Sequence, residues 1–286
     1  MPLSSALVGF STERECDLDA RWAMAYAAAL GETDAAWYDT ESGPLPVHPL
    51  LTCGLEWPLL VAAREASSLS EEERRRGVHS AHDLVLHEPL VTQGPITLRV
   101  CVDGVTSVKP GAHLVIRFEA HDAEGRPLWT TVHGSIFRGV PVEGEERPPP
   151  QDPSALADFR ACDDAAAEEA VSVPVGAAHV YTECARIWNP IHTDLAVARA
   201  AGLPGPVLHG THTVALALGR VLKAVGAEPA RLRRLACRLH APVLMPSELR
   251  VRVWAGDPVR FEVAGGDGAL ALRQGLIELH SGPEKK

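Results

Sequence analysis

The sequence predicts an α+β chain made of two tandem copies of one unit, a long helix wrapped by a curved antiparallel sheet. Three observations carry this expectation. The 286 residues are long for one compact unit and sufficient for two, each able to bury a core. Period-two alternation of apolar residues appears in two separate blocks. A segment also repeats: His87-Glu88-Pro89-Leu90 through Arg99-Val100 aligns without a gap with His240-Ala241-Pro242-Val243 through Arg252-Val253, and Gly43-Pro44-Leu45 echoes Gly205-Pro206-Val207. Two divergent copies of one supersecondary unit is the economical account of such self-similarity.

Ser11 to Leu30 reads as a helix: Ser11 and Thr12 are cap formers, Glu13 and Glu15 suit its positive end, and Trp22, Ala25, Tyr26 and Ala29 recur at helical spacing before Gly31. A proline-stiffened entry, Gly43 to Pro49, leads to a second apolar segment from Leu51 to Ala63. The charged run Glu71 to Gly77 reads as a solvated turn. From Val78 to Val140 the period changes, and Leu84–His87, Ile96–Val102, His113–Ala120 and Leu128–Phe137 are expected antiparallel strands, with Asp122 to Gly125 as a hairpin loop. Pro141 to Glu168, rich in Pro, Glu, Asp and Ala, reads as a linker. The order then repeats, with a helix from about Gly210 to Val225 and strands at 235–240, 248–254, 260–264 and 269–278.

The densest chemistry lies between Tyr181 and Gly210. Trp188-Asn189-Pro190-Ile191-His192 sets a histidine just after a rigid Asn-Pro turn, and Leu208-His209-Gly210 opens the apolar helix with a glycine. Together these resemble the signature of the MaoC-like dehydratase, or R-specific enoyl-CoA hydratase, family, Asp-x-Asn-Pro-x-His followed by Leu-His-Gly. Ile187 stands where that family carries its catalytic aspartate. The resemblance implies a double hotdog fold: a degenerate N-terminal hotdog over residues 1–145, a linker over 146–168, and a C-terminal hotdog over 169–286 that carries the site. It also implies a hydratase or dehydratase acting on an enoyl or 3-hydroxyacyl thioester of CoA or acyl carrier protein, without metal or other cofactor. His192 would be the general acid/base, Asn189 would orient water or hydroxyl, and the Gly210 amide would stabilise the thioester oxygen. Ile187, Trp188 and His209 would line the substrate site. Arg234, within the cluster Arg231, Arg233, Arg234 and Arg238, is the candidate for the carrier's phosphates. His48, His87 and His240 read as packing or turn residues. With no aspartate at 187, two alternatives stand beside the hydratase: a lyase, isomerase or cyclase using His192 alone, and a silent hotdog subunit that binds an acyl chain.

Composition narrows the partners. A formal charge of −10 opposes nonspecific binding to nucleic acid or an anionic membrane, and no apolar run reaches the length of a membrane span. Six cysteines without a Cys-x-x-Cys pair point to reduced thiols rather than a disulfide or zinc framework. A cytoplasmic protein able to pair as a homodimer is the expectation.

Overall fold

The computed structural model describes residues 1–156 and 165–280. In chain order the elements are β1 (Leu3–Ser4), β2 (Ser11–Leu18), α1 (Ala20–Ala29), α2 (Thr52–Glu65), α3 (Glu71–Arg74), β3 (Gly77–Leu86), β4 (Gln93–Val108), β5 (Gly111–Asp122), β6 (Pro127–Arg138) and β7 (Val142–Glu143). There follow β8 (Ala167–Val173), α4 (Ala177–Ala185), α5 (Leu195–Ala200), α6 (Gly210–Val225), β9 (Leu232–Leu239), β10 (Ser247–Trp254), β11 (Val259–Ala264) and β12 (Leu270–Leu279). No helix among the described residues is long and apolar enough to cross a membrane.

Ten strands form one sheet in the order β2-β4-β5-β6-β3-β9-β12-β11-β10-β8. The first five come from one half of the chain and the last five from the other, in mirrored order, so the sheet is a double hotdog joined at β3 and β9. That join is antiparallel, pairing Ala81 with Arg238 and Val85 with Arg234. The repeat noted in the sequence has a structural meaning here. Val47 N–H donates to Leu90 O (2.9 Å) and Leu208 N–H to Val243 O (2.8 Å); these equivalent contacts pin the entries of α2 and α6 to the same point of the two copies. His48 in the first copy thus answers to His209 in the second, and Pro49 to Gly210. His48 is buried at its turn, where Nδ1 accepts from Leu50 N–H (3.2 Å).

Burial of α6 follows from its sequence: Val214, Ala215, Ala217, Leu218, Val221 and Leu222 recur on one face and join the core. On α2 the core face is Leu55, Leu59, Leu60 and Ala63. Gly54 allows close approach of the two halves, since a Cβ there would collide with the carbonyl oxygen of Ala185 at the end of α4.

Two expectations are corrected. Ser11–Leu18 is not the start of a helix but an edge strand, pairing Ser11 with Cys101 and Cys16 with Ile96 on β4; the helix begins at Ala20, where Asp19 caps Trp22 N–H (2.8 Å). The weak helical signal of an acidic cap was outweighed by a neighbouring strand with free ladder groups. The expected linker is also partly ordered: β7 pairs in parallel with β1, Arg147 bridges Val105, and Ala167–Glu168 already belong to β8. Residues 157–164 of that segment, including Cys162, lie outside the described residues. The hairpin at Asp122 is as expected, with its carboxylate accepting from Glu124 N–H (3.0 Å) and Arg126 N–H (2.8 Å).

Candidate functional site

The site begins where α4 ends. Arg186 closes that helix in the left-handed region (φ 56°, ψ 38°), an uncommon conformation for a non-glycine residue. Its guanidinium lies over Trp22, 4.0 Å from the ring centre. The reversal buries Ile187 and leaves Trp188 57% exposed. Asn189 then caps a single 3-10 turn, Pro190–His192, its side-chain oxygen accepting from Ile191 N–H (3.4 Å). Proline suits this position because it needs no donor and arrives with the right φ. Asp194 caps α5, accepting from Ala196 N–H (2.7 Å).

His192 is held from the far side of its ring. Nδ1 lies 2.8 Å from Val207 O, and since a carbonyl only accepts, Nδ1 carries the proton and Nε2 keeps its lone pair. The ring stacks on His209 with centroids 3.7 Å apart and an interplanar angle of 26°. His209 in turn meets the Thr182 hydroxyl through Nε2 (3.0 Å). Burial pulls His192 down to about 4 and His212 down to about 3, and lowers His209, where His192 and His212 add to the effect. All three are neutral near pH 7. Behind them the hydroxyls of Tyr26 and Tyr181 bond to each other (2.9 Å), and Tyr181 donates to Thr211 (3.1 Å).

Gly210 is the first residue of α6, and its N–H takes part in no hydrogen bond among the described residues. A helix start presents such unsatisfied donors together with the positive end of the dipole. A side chain here would collide with Leu239, so the glycine keeps this helix start open.

These groups border a cavity of about 490 Å³ that extends into the first half of the chain. Its wall includes Ile187, Asn189, His192, His209 and Gly210 from the second copy. From the first copy come Cys53, Glu56, Trp57, Leu60 and Arg64, one stripe of α2 at helical spacing, together with His79 and His133. Sequence reading missed this side entirely. The available signal was Glu56, a lone carboxyl inside the apolar run Leu51 to Ala63. It is the one carboxyl bordering the cavity among the described residues, buried and accepting at Oε1 from Trp129 Nε1–H (2.9 Å) and the Thr131 hydroxyl (2.6 Å). Burial pushes it up to about 8, the two hydrogen bonds opposing.

Of the expected site residues, His192, Asn189, Gly210, Ile187 and His209 come together. Trp188 and Arg234 do not. Trp188 points to solvent beside His179 and Glu183, on the outside of the turn. Arg234 is not a free phosphate donor: Nε and NH2 clamp Asp83 in a fork (2.8 and 2.7 Å), and NH1 reaches Glu278 (3.4 Å). Its neighbours are engaged likewise, Arg233 with Glu278 and Arg231 with His280 O. The face alternation of β9 and the buried carboxylate of Asp83 explain this, neither visible in the spacing of arginines. Of the expected turn histidines, His87 is exposed and bonds Thr130 (3.0 Å), and His240 is likewise at the surface while bordering the cavity. Glu183 and Asp194 face solvent, so neither replaces the missing aspartate.

Comparison with known proteins agrees with this architecture. Residues 167–267 match the family model described as MaoC like domain. The chain is 22% identical over 204 residues to a probable enoyl-CoA hydratase 2 of Dictyostelium discoideum, covering 70% of this chain and 68% of that one. It is 24% identical over 208 residues to peroxisomal multifunctional enzyme type 2 of Mus musculus, covering 71% of this chain but only 28% of that much longer protein. Among solved structures, a MaoC-like dehydratase from Phytophthora capsici superposes with a TM-score of 0.83 at 19% identity, covering 98% of each chain. A conserved hypothetical protein of Mycobacterium tuberculosis with a double hotdog fold superposes at 0.58 with 16% identity, covering 95% of this chain and 94% of that one. The structural likenesses establish the fold, and over residues 167–267 the sequence is similar to the MaoC like domain.

Proposed function

We propose that the chain is a hydratase or dehydratase of enoyl or 3-hydroxyacyl thioesters, with His192 as its general acid/base. The observation that carries this is the tautomer of His192, whose Nδ1–H is committed to Val207 O and whose Nε2 lone pair is left at a cavity opened by the start of α6. Hydratase chemistry on enoyl-CoA is what the name of the Dictyostelium relative states, and the reading extends it to this chain. In the dehydration direction Nε2 takes the proton from the carbon beside the thioester carbonyl. Negative charge then moves onto the carbonyl oxygen, where the unsatisfied amides of Gly210 and the first turn of α6 receive it. The imidazolium returns that proton to the leaving hydroxyl, and Asn189 orients the hydroxyl or water. The first unit, residues 1–145, lacks the signature and contributes wall rather than chemistry.

Burial keeps His192 neutral at pH 7 by pulling it down to about 4, which leaves the lone pair free but makes it a weaker base than a solvated imidazole, so bound substrate must raise its proton affinity. Ile187 favours a second reading, in which a lyase, isomerase or cyclase works through His192 alone, because an alkyl group holds no water and donates no proton. Both enzyme readings need His192, whereas a silent acyl-binding subunit does not. Purified protein is to be incubated with crotonyl and longer enoyl thioesters and with 3-hydroxyacyl thioesters, and the products separated by mass. Mass gain of one water indicates hydration, an unchanged mass with a new retention time indicates isomerisation or cyclisation. His192→Ala is expected to lower kcat by about 10²–10⁴ with the circular dichroism unchanged; retained turnover would remove His192 from the mechanism.

A further inference from the structure

The cavity does not end as an alkyl tunnel. At its first-unit end the wall is polar, and the reason lies in a β-bulge. Residues three apart on a strand face opposite ways, yet the register slip between His79 and Ala81 leaves Ser80 extra and puts His79 on the same face as His82. His79 pairs with Ser135 and His82 with His133 on β6, so four polar side chains gather beneath α2. His79 and His133 stack with centroids 3.9 Å apart. Arg64, eleven residues along α2 from Cys53 and so about 16 Å down the helix, reaches into this group. Its NH2 donates to Ser135 Oγ (2.9 Å), which also meets His133 Nε2 (2.9 Å).

The one hydrogen bond of the Arg64 side chain among the described residues goes to a hydroxyl and not to a carboxylate, and its Nε is enclosed without an acceptor. The residue is half-buried with its guanidinium carbon 5.8 Å from the Phe137 ring centre, and among the described residues no carboxylate balances its charge, so an enclosed Nε without an acceptor is a donor left over for a ligand. Glu56, the carboxyl on the same helix face, is used by Trp129 and Thr131. The surroundings add positive charge rather than balance it, with Arg138 also on the cavity wall. His79, His82 and His133 bring one ring nitrogen each within 4.8 Å of one another, a spacing that admits a metal ion, but the adjacent guanidinium opposes a second cation and favours an anion.

We propose that this end of the cavity is a subsite for a carboxylate carried on the acyl chain, with Arg64 as its partner, so that the favoured substrates are acid-terminated thioesters. The inference rests on the thioester reading of the His192 site. Arg64 and His192 border one cavity, one at each copy's contribution to the wall; a chain attached at the thioester and running along α2 brings its far end to the guanidinium. A fork-shaped donor in a half-buried polar site suits a planar carboxylate.

The test is binding, measured by titration calorimetry with saturated and therefore unreactive probes: hexanoyl-CoA and adipoyl-CoA, octanoyl-CoA and suberoyl-CoA, and free CoA. Wild type is expected to bind the acid-ended member of at least one pair about tenfold tighter than its methyl-ended partner, a factor that corresponds to about 1.4 kcal/mol. Arg64→Gln should abolish that ratio and leave hexanoyl-CoA and free CoA unchanged, and Arg64→Lys should restore part of it. Equal or reversed preference in wild type overturns the proposal while thioester binding itself leaves the reading of the cavity as a thioester site standing; absence of all acyl binding overturns both. A loss of free CoA affinity in Arg64→Gln equal to the loss for adipoyl-CoA assigns the guanidinium to carrier phosphates and also overturns it. So does stoichiometric uptake of Zn²⁺ that blocks adipoyl-CoA in wild type. Should Arg64→Gln fail to fold, the wild-type ratios and Arg64→Lys decide alone.

Discussion

A carboxylate introduced at Ile187 replaces a side chain that is 5% exposed and borders the same cavity as His192. Ile187→Asp is therefore expected to raise the rate of water addition to a short enoyl thioester per folded molecule, at a stability cost of roughly a few kcal/mol from burying a charge-prone group. Unfolding must be followed alongside rate. If the folded variant binds thioester and adds no water, the pocket has diverged by more than one residue and the single-histidine reading gains. Glu56 gives a second test at this scale. Its folded value of about 8 stands above the ordinary 4.5, so the folded state holds a proton that the unfolded chain has lost, and stability falls as pH rises from about 4.5 through 8. Glu56→Gln keeps an oxygen for Trp129 and Thr131 but cannot ionise. Its stability relative to wild type should rise between pH 5 and pH 9 in denaturant titrations; parallel curves would show that Glu56 is ionised in the fold. The signature residues were legible because a motif states its own chemistry locally. Glu56 and Arg64 were not, because their meaning comes from what faces them across 70 residues of chain.

Among elements, the start of α6 is the most exacting. Gly210→Ala places a methyl group against Leu239 on β9, which must move or push the helix away from its opening. Activity is expected to fall at least tenfold through misplacement of the amide donors, and Leu239→Ala in the same chain should recover part of it by making room. Recovery of nothing would show that the methyl group acts on substrate rather than on the helix. The first copy presents Pro49 at the equivalent turn, which has no N–H to offer as a donor. α6 itself was readable to the residue, since its apolar face, its glycine start and Gly226 at its left-handed end are all local signals. β2 was not. Its residues are polar and mostly exposed, and only the unpaired edge of β4 makes them a strand.

The two halves meet along β3 and β9, where buried Asp83 is held by the Arg234 fork and by Gln151 (2.9 Å). Arg234→Met leaves that carboxylate without a counter-ion, held by Gln151 alone, and should cost about 3–5 kcal/mol, read as a drop in Tm, with thioester affinity per folded molecule unchanged. A selective loss of CoA binding would instead return Arg234 to the substrate site. The molecule should also be acid-labile. His48, His82 and His212 are buried and His192 is half-buried, with values of about 3 to 4 against 6.5 in the open chain. The unfolded state therefore binds more protons below 6.5, and each such group removes about 1.4 kcal/mol per pH unit below that point. Four of them amount to roughly 5 kcal/mol by pH 5.5, comparable with a whole domain's margin. Thermal unfolding from pH 7.5 to 5.5 should show a steep fall in Tm, and a flat profile would mean that water reaches these rings. What the sequence by itself determined were the features written in periodicity and short-range spacing: two copies, helix and strand identities for the long apolar elements, and the turn that carries His192. What only the tertiary structure decided was which face each residue turns inward. That depends on register, on a single bulge at Ser80 and on pairing between distant strands, and it moved Arg234 out of the site and brought Glu56, Arg64, His79 and His133 into it.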